Sequence, residues 1–148
     1  MSKSQIAGKW AGQLTYAKDY PEEYRSKIFS FSLDLSCCED AVKGLCEDEF
    51  TNSLALNPAT IDGFFKNDSI YFIKRYPCLI MMDEDNLTKA FPTEPSVGIQ
   101  YRGRLVQRLF SKKKYFKGHW DISGSYMDEN GNKKYYRSGG DWEMRKVD

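Results

Sequence analysis

The sequence predicts an all-β fold: a single antiparallel up-and-down meander of about 8–10 strands, closed into a barrel. Three observations predict it. Apolar and polar residues alternate with period two along most of the chain, as on strands with one buried and one wet face. Short turn signals separate these stretches, and no long helical periodicity interrupts them. Gly-x-Trp stands near both ends, at Gly8-Lys9-Trp10, Gly118-His119-Trp120 and Gly140-Asp141-Trp142, so every tryptophan follows a glycine by two residues. An open sheet of this length would leave two bare edges, and closure removes them. A two-sheet sandwich with Greek-key links is the competing arrangement.

The first strand is read over Ile6–Tyr16, with Ile6, Gly8, Trp10, Gly12, Leu14 and Tyr16 on one face. Lys18 to Ser26 carries Pro21 and reads as a loop with at most one helical turn. The second strand, Lys27–Ser36, sets Phe29, Phe31, Leu33 and Leu35 against Ser30, Ser32 and Asp34. Cys37 to Glu49 is acidic and irregular, with room for one short helix. Phe50, Asn52, Leu54 and Leu56 suggest a third strand, ended by Asn57-Pro58. Ala59, Ile61, Gly63 and Phe65 share a face of the fourth, and Lys66-Asn67-Asp68-Ser69 makes a tight turn. On the fifth, Ile70, Phe72, Lys74 and Tyr76 share one face. Cys78 to Met82 is a short sixth strand, and Asp83 to Pro95 a long polar loop. Val97 to Leu105 is the seventh, and Ser111 to Lys114 a basic turn. Gly118 to Tyr126 then alternates cleanly, Asp128-Glu129-Asn130-Gly131 suits a hairpin, and the last strand returns through Gly140 to Met144.

The 148 residues suit one domain, 1–148, with one core. Nine Phe, ten Tyr and three Trp fit β structure. A formal net charge of +1 argues against a dedicated nucleic-acid binder, which carries a clear basic excess. The run Arg102–Lys117 holds seven cations among Tyr115 and Phe116, and reads as a solvated hairpin before an anionic-partner site. No apolar run follows Met1–Gln5 and none is long enough to span a bilayer, so neither signal peptide nor membrane span is expected. The expected compartment is the cytoplasm, where Cys37, Cys38, Cys46 and Cys78 stay reduced. Their spacing matches no zinc ribbon or C-x-x-C motif. Free thiols in a loop are expected over a Cys37/Cys38/Cys46 metal site with Glu39 or Asp40.

Gly8, Gly12, Gly63, Gly103, Gly118, Gly124 and Gly140 all fall on the apolar parity of their strands. They mark either sharp bends of a barrel wall or space left for something inside. Lys74 also falls on that parity, between Phe72 and Tyr76. Either local twist turns it outward, or it marks the polar end of a pocket.

Gly8-Lys9-Trp10 resembles the opening strand of lipocalins and avidins, the calycin superfamily. Ile61-Asp62-Gly63, Ile70–Tyr76, Tyr101-Arg102-Gly103 and Gly118-His119-Trp120 are similar to the pattern of small calycin-like domains, one of which is the substrate-binding part of certain F-box proteins. The resemblance implies a calycin-like barrel and gives Arg137 or Arg145 the part of the late arginine that lipocalins pack on the tryptophan. The chain lacks the lipocalin C-terminal helix and disulfide and a recognisable set of avidin biotin contacts.

No nucleophile-histidine arrangement is apparent, since the one histidine, His119, lies on a polar parity. Walker A and dinucleotide motifs are absent, and Asp128–Asn132 departs from an EF-hand loop. No cofactor and no metal is expected. The expected function is binding of a small, mostly apolar ligand inside the barrel, on Trp10, Phe31, Phe72, Lys74, Tyr76, Tyr101, Trp120, Tyr126 and Trp142. A protein-interaction module with a filled barrel is the alternative, followed by an enzyme using a buried Lys or Tyr.

Overall fold

The computed structural model describes residues 1–18, 20, 22–25, 27–82, 88–107 and 113–147, without the side chains of Met82 and Tyr126. Among them are ten strands: β1 (Gly8–Tyr16), β2 (Phe29–Cys38), β3 (Ala41–Asp48), β4 (Ala59–Lys66), β5 (Ser69–Arg75), β6 (Leu79–Met82), β7 (Thr88–Phe91), β8 (Ile99–Gln107), β9 (Lys114–Met127) and β10 (Lys133–Lys146). Eight close an antiparallel barrel in the order β1-β10-β9-β8-β5-β4-β3-β2, while β6 and β7 pair in a hairpin of their own. First and last strands run side by side, from Trp10 opposite Lys146 to Tyr16 opposite Gly140. The barrel, and not the sandwich, is therefore the architecture.

The alternation holds on the long strands. Phe29, Phe31, Leu33 and Leu35 of β2 are buried while Ser30, Ser32 and Asp34 are exposed. The interior is stacked with rings. Trp10 lies 5.4 Å from Phe116, and Phe72 stacks on Tyr101 at 4.8 Å with Trp142 at 5.8 Å from both. Each indole N–H donates to a backbone carbonyl: Trp10 to Ile6, Trp120 to Thr15 and Trp142 to His119.

The repeated Gly-x-Trp has a physical basis in the β9–β10 register. Trp142 stands opposite Gly118, and Trp120 stands opposite Gly140. A Cβ on Gly140 would collide with the Thr15 carbonyl oxygen and come within 2.8 Å of the Trp120 ring nitrogen, and one on Gly118 would collide with the Arg102 carbonyl oxygen. On β8, a Cβ on Gly103 would come within 2.6 Å of the Trp142 ring. The motif glycines thus allow close approach of the neighbouring strands, and the space at Gly103 is filled by an indole.

Several boundaries and assignments differ from the sequence reading. The first strand begins at Gly8, because Lys3–Gln5 forms a 3-10 turn that tucks Ile6 into the core at 0% exposure. The acidic stretch after Cys38 is not irregular: it turns at Glu39-Asp40, with Glu39 at φ 55°, and returns as β3. Cys46 is buried in that strand and not in a loop, and all four thiols are free. The alternation at Phe50–Leu56 misleads, since Glu49–Ser53 is a helix, here α2, that follows a short α1 (Glu22–Arg25). Asp48 forces it: its carboxylate accepts from Phe50 and Thr51 N–H while the Thr51 hydroxyl meets the Asp48 N–H. That capping arrangement outweighs a weak period-two pattern. The loop read over Asp83–Pro95 contains β7; of the basic turn Ser111–Lys114, Ser111 and Lys112 lie outside the described residues and Lys114 opens β9.

The two ends of the barrel differ. At the Trp10 end the strands are joined by tight turns at Glu39-Asp40 and Asn67-Asp68, and the N-terminal 3-10 turn lies there. At the opposite end lie α1, α2, the β6–β7 hairpin and the outer part of the β9–β10 hairpin.

Candidate binding site at the Lys74 end

Lys74 points inward, with 2% of its surface exposed. It follows the parity of Phe72, which is buried beside it on β5. Its Nζ donates to Asp48 Oδ2 at 2.6 Å, and both side chains are buried. Tyr76, just past β5, donates its hydroxyl to the same oxygen. The other Asp48 oxygen accepts the α2 N–H groups of Phe50 at 2.9 Å and Thr51 at 3.0 Å. The carboxylate is therefore saturated by four donors. The ammonium lies 4.7 Å from the Tyr76 ring centre and 6.0 Å from that of Tyr101.

Electrostatics follow from this packing. Burial works against an Asp48 charge, but Lys74, the Tyr76 hydroxyl and the Thr51 N–H outweigh it and hold the carboxyl below its usual range. Burial likewise works against the Lys74 charge, yet the surrounding acceptors, with Asp48 the one that is ionised at neutral pH, hold its pKa well above that of a free lysine. Burial pushes Tyr76 well up and raises Tyr101 to about 12 and Cys46 to about 11, so all three are neutral near pH 7. The pair is thus a compact ion pair with no net charge.

Aromatic rings cover it. Tyr16 packs edge-on to Tyr20 at 4.5 Å, to Phe29 at 5.1 Å and to Trp120 at 5.2 Å. Phe50 of α2 meets Phe29 at 5.9 Å and Tyr76 at 6.5 Å. Tyr16 and Trp120 also line a surface cleft of about 440 Å³ whose polar rim includes His119, Asp121, Arg137 and Asp141. His119 Nδ1 lies 2.5 Å from Asp141 at that rim, and both are exposed.

Of the nine residues read from sequence as one binding surface, eight separate into three sets. Trp10 belongs to the opposite end, packed on Phe116. Phe31, Phe72, Tyr101 and Trp142 fill the middle, in contact with one another. Lys74, Tyr76 and Trp120 lie at the cleft end. Tyr126 is on the outer part of β9, and its side chain is outside the described residues. Arg137 and Arg145 are both exposed, opposite Ser123 and Ala11; Lys146 is the register partner of Trp10 and donates to the Gln5 carbonyl at 2.7 Å. Lys146 shares the inward parity of Trp142 and Met144, which Arg145 does not. Sequence reading missed Asp48, Tyr16 and Phe50. The Asp48-x-x-Thr51 spacing was the available signal for the first, since Asp is a favoured N-cap.

Among the described residues no group of three or more His, Cys, Asp or Glu could hold a metal ion, and no helix is long and apolar enough to cross a membrane. Neither a family model nor a curated protein matches the sequence. Among solved structures, the crystal structure of the short afifavidin–biotin complex is similar, with a TM-score of 0.50 at 9% identity, over 97% of this chain and 99% of that one. At that identity the likeness is one of fold, and it agrees with the calycin-like barrel that the Gly-x-Trp opening implies.

Proposed function

We propose that the protein binds a small, mostly apolar molecule at the Lys74 end of the barrel. The observation that carries the reading is the buried Lys74–Asp48–Tyr76 cluster beneath an aromatic cover, two of whose rings, Tyr16 and Trp120, also line a cleft of about 440 Å³. That volume falls in the range of ligand pockets, and the faces of Tyr16 and Trp120 are its apolar surface among the polar groups of His119, Asp121, Arg137, Ser138 and Asp141. The body of the ligand would lie on Tyr16 and Trp120, with its polar tip toward Tyr76 and Lys74. Because Asp48 already neutralises Lys74, a carbonyl or hydroxyl suits the site better than a carboxylate. The neighbouring biotin-binding fold is consistent with a small ligand but names none for this chain.

A second reading, a protein-interaction module, is favoured by the rings that fill the middle of the barrel. An enzyme using Lys74 as a base gains no support, since a lysine held charged is a poor proton acceptor at neutral pH. Native mass spectrometry of the purified protein, beside the Asp48→Asn, Lys74→Met double variant in which no buried charge is left unpaired, tests the proposal. The expected result is a bound mass on the wild type that the folded variant loses. A wild type that carries none, and whose Trp120 emission ignores a panel of neutral aromatic carbonyl compounds, would leave the interaction module as the better reading.

A further inference from the structure

The β9–β10 hairpin outgrows the barrel wall. β8 pairs with β9 only as far as Gln100 opposite Asp121, and β1 pairs with β10 only from Gly140. Beyond those points Ile122–Met127 and Lys133–Gly139 pair with each other alone, as a two-stranded ribbon. The hydrogen-bond phase of this ribbon is fixed at both ends. Asp128 N–H donates to the Asn132 carbonyl at 2.9 Å, continuing the β9–β10 register, and Ala17 N–H donates to Gly139 at 2.9 Å from the β1 side. Bonded pairs alternate along an antiparallel ladder. Ile122, Gly124 and Tyr126 therefore bond to β10, while Ser123, Ser125 and Met127 turn their N–H and C=O groups away from it. Among the described residues no backbone hydrogen bond reaches those groups.

The two edges of the ribbon are built differently. The β10 edge carries Lys133, Lys134 and Arg137, all exposed, and such charges are how natural sheets keep an edge from pairing. Two copies laid antiparallel about Tyr135 would set Lys133 against Arg137, like charge against like. The β9 edge, Ile122-Ser123-Gly124-Ser125-Tyr126-Met127, has no charge and no proline. Its outward groups are spaced symmetrically about Ser125. A copy laid antiparallel on that edge, on a two-fold axis at Ser125, brings Ser123 opposite Met127 of the second copy and Ser125 opposite itself. Every outward N–H and C=O of Ser123, Ser125 and Met127 then meets a partner, and no charges face one another within Ile122–Met127.

We propose that this edge is a self-association surface, through which two copies of the chain join their ribbons into one continuous antiparallel sheet across a two-fold axis at Ser125. The contact is isologous, so it closes at a dimer. Its small extent places it with transient interfaces.

The test is sedimentation velocity of the full chain over roughly 1–500 µM, a range suited to weak interfaces, with a cross-linking variant beside it. The wild type should pass reversibly from monomer to dimer. Ser125→Lys and Ser125→Pro should each weaken the association tenfold or more with unchanged circular dichroism, because the Ser125 N–H does not serve the β10 ladder. Tyr135→Lys, on the guarded edge, should leave association unchanged. Ser125→Cys should give a covalent dimer on mild oxidation beyond any background from exposed Cys38, since bonded antiparallel pairs hold Cα atoms ~5.5 Å apart, within disulfide reach. Tyr135→Cys should give none. A wild type that stays monomeric throughout, or a dimer indifferent to Ser125→Lys, would overturn the proposal.

Discussion

The two ends of one barrel solve the same problem in opposite ways. At the Trp10 end the chain covers the core with its own apolar residues: Ile6, Trp10, Val42 and Phe116 are all 1% exposed or less. The one polar group Trp10 brings, its indole N–H, is answered four residues away by the Ile6 carbonyl at 2.8 Å. At the Lys74 end the core encloses an ion pair whose members come from β3 and β5, twenty-six residues apart, and wraps it in tyrosines. An ion pair in a low-dielectric interior is not the cheapest way to fill space, because desolvating two charges offsets much of their attraction. The comparison teaches that the Trp10 end closes on apolar packing, whereas the Lys74 end closes on a desolvated ion pair whose carboxylate is held by four donors.

The largest effect is expected from breaking the pair on one side. Asp48→Ala strands the buried Lys74 ammonium and removes the α2 cap, and should cost about 3–5 kcal/mol for the charge and ~1 more for the cap. Trp10→Ala should cost about 3–5 kcal/mol by cavity formation alone. Chemical denaturation measures both. The comparison sharpens with rescue. Asp48→Asn combined with Lys74→Met keeps an N-cap and removes both charges, so it should recover stability to within ~1.5 kcal/mol of wild type, while no second substitution elsewhere in the pair repairs Trp10→Ala. A double variant no more stable than Asp48→Ala would mean that the pair is structural after all.

A smaller effect lies in the pH dependence. The Asp48 carboxyl is held below its ordinary range, so its stabilisation is present above pH ~3.9 and is lost as pH falls through the folded value. Lys74 is held above its ordinary range, so its stabilisation is complete below pH ~10.4 and is lost as pH rises beyond. Tyr101, raised to about 12, adds in the same direction: the unfolded chain releases that proton near pH ~10 while the folded one keeps it. Wild type should therefore show a stability plateau between these limits, with its alkaline edge steepest. The Asp48→Asn, Lys74→Met variant should lose the steep part of both edges. Thermal melts across pH measure this. The smallest effect is expected at Arg145, exposed on β10: Arg145→Ala should stay within ~0.5 kcal/mol of wild type, although its sequence position invites a role beside Trp10.

The wall of the barrel was legible because it repeats. Seven of its eight strands carry a legible period-two pattern, and Gly-x-Trp marks the strands that close it. What was not legible is local and reverses a pattern. Phe50–Leu56 alternates like a strand, yet one cap at Asp48 makes it a helix. The acidic Cys37–Glu49 stretch hides β3 because Lys43, Leu45 and Glu47 face outward within a strand that buries only Val42, Cys46 and Asp48. The site was half legible for the same reason. Lys74 announces itself by standing on an apolar parity. Its partner lies on the strand that the alternation disguises, and pairing across barrel strands is set by register, which composition does not carry.

The central claim is that Asp48 keeps Lys74 charged inside the barrel. The most direct measurement is the ¹³Cε chemical shift of Lys74 followed by NMR from pH 8 to 12, in wild type and in Asp48→Asn. The expected result is that Lys74 stays protonated while the surface lysines titrate near the ~10.4 of a free side chain. In Asp48→Asn, where burial acts without the carboxylate, its pKa should drop below theirs. A wild-type Lys74 that titrates together with the surface lysines would contradict the account.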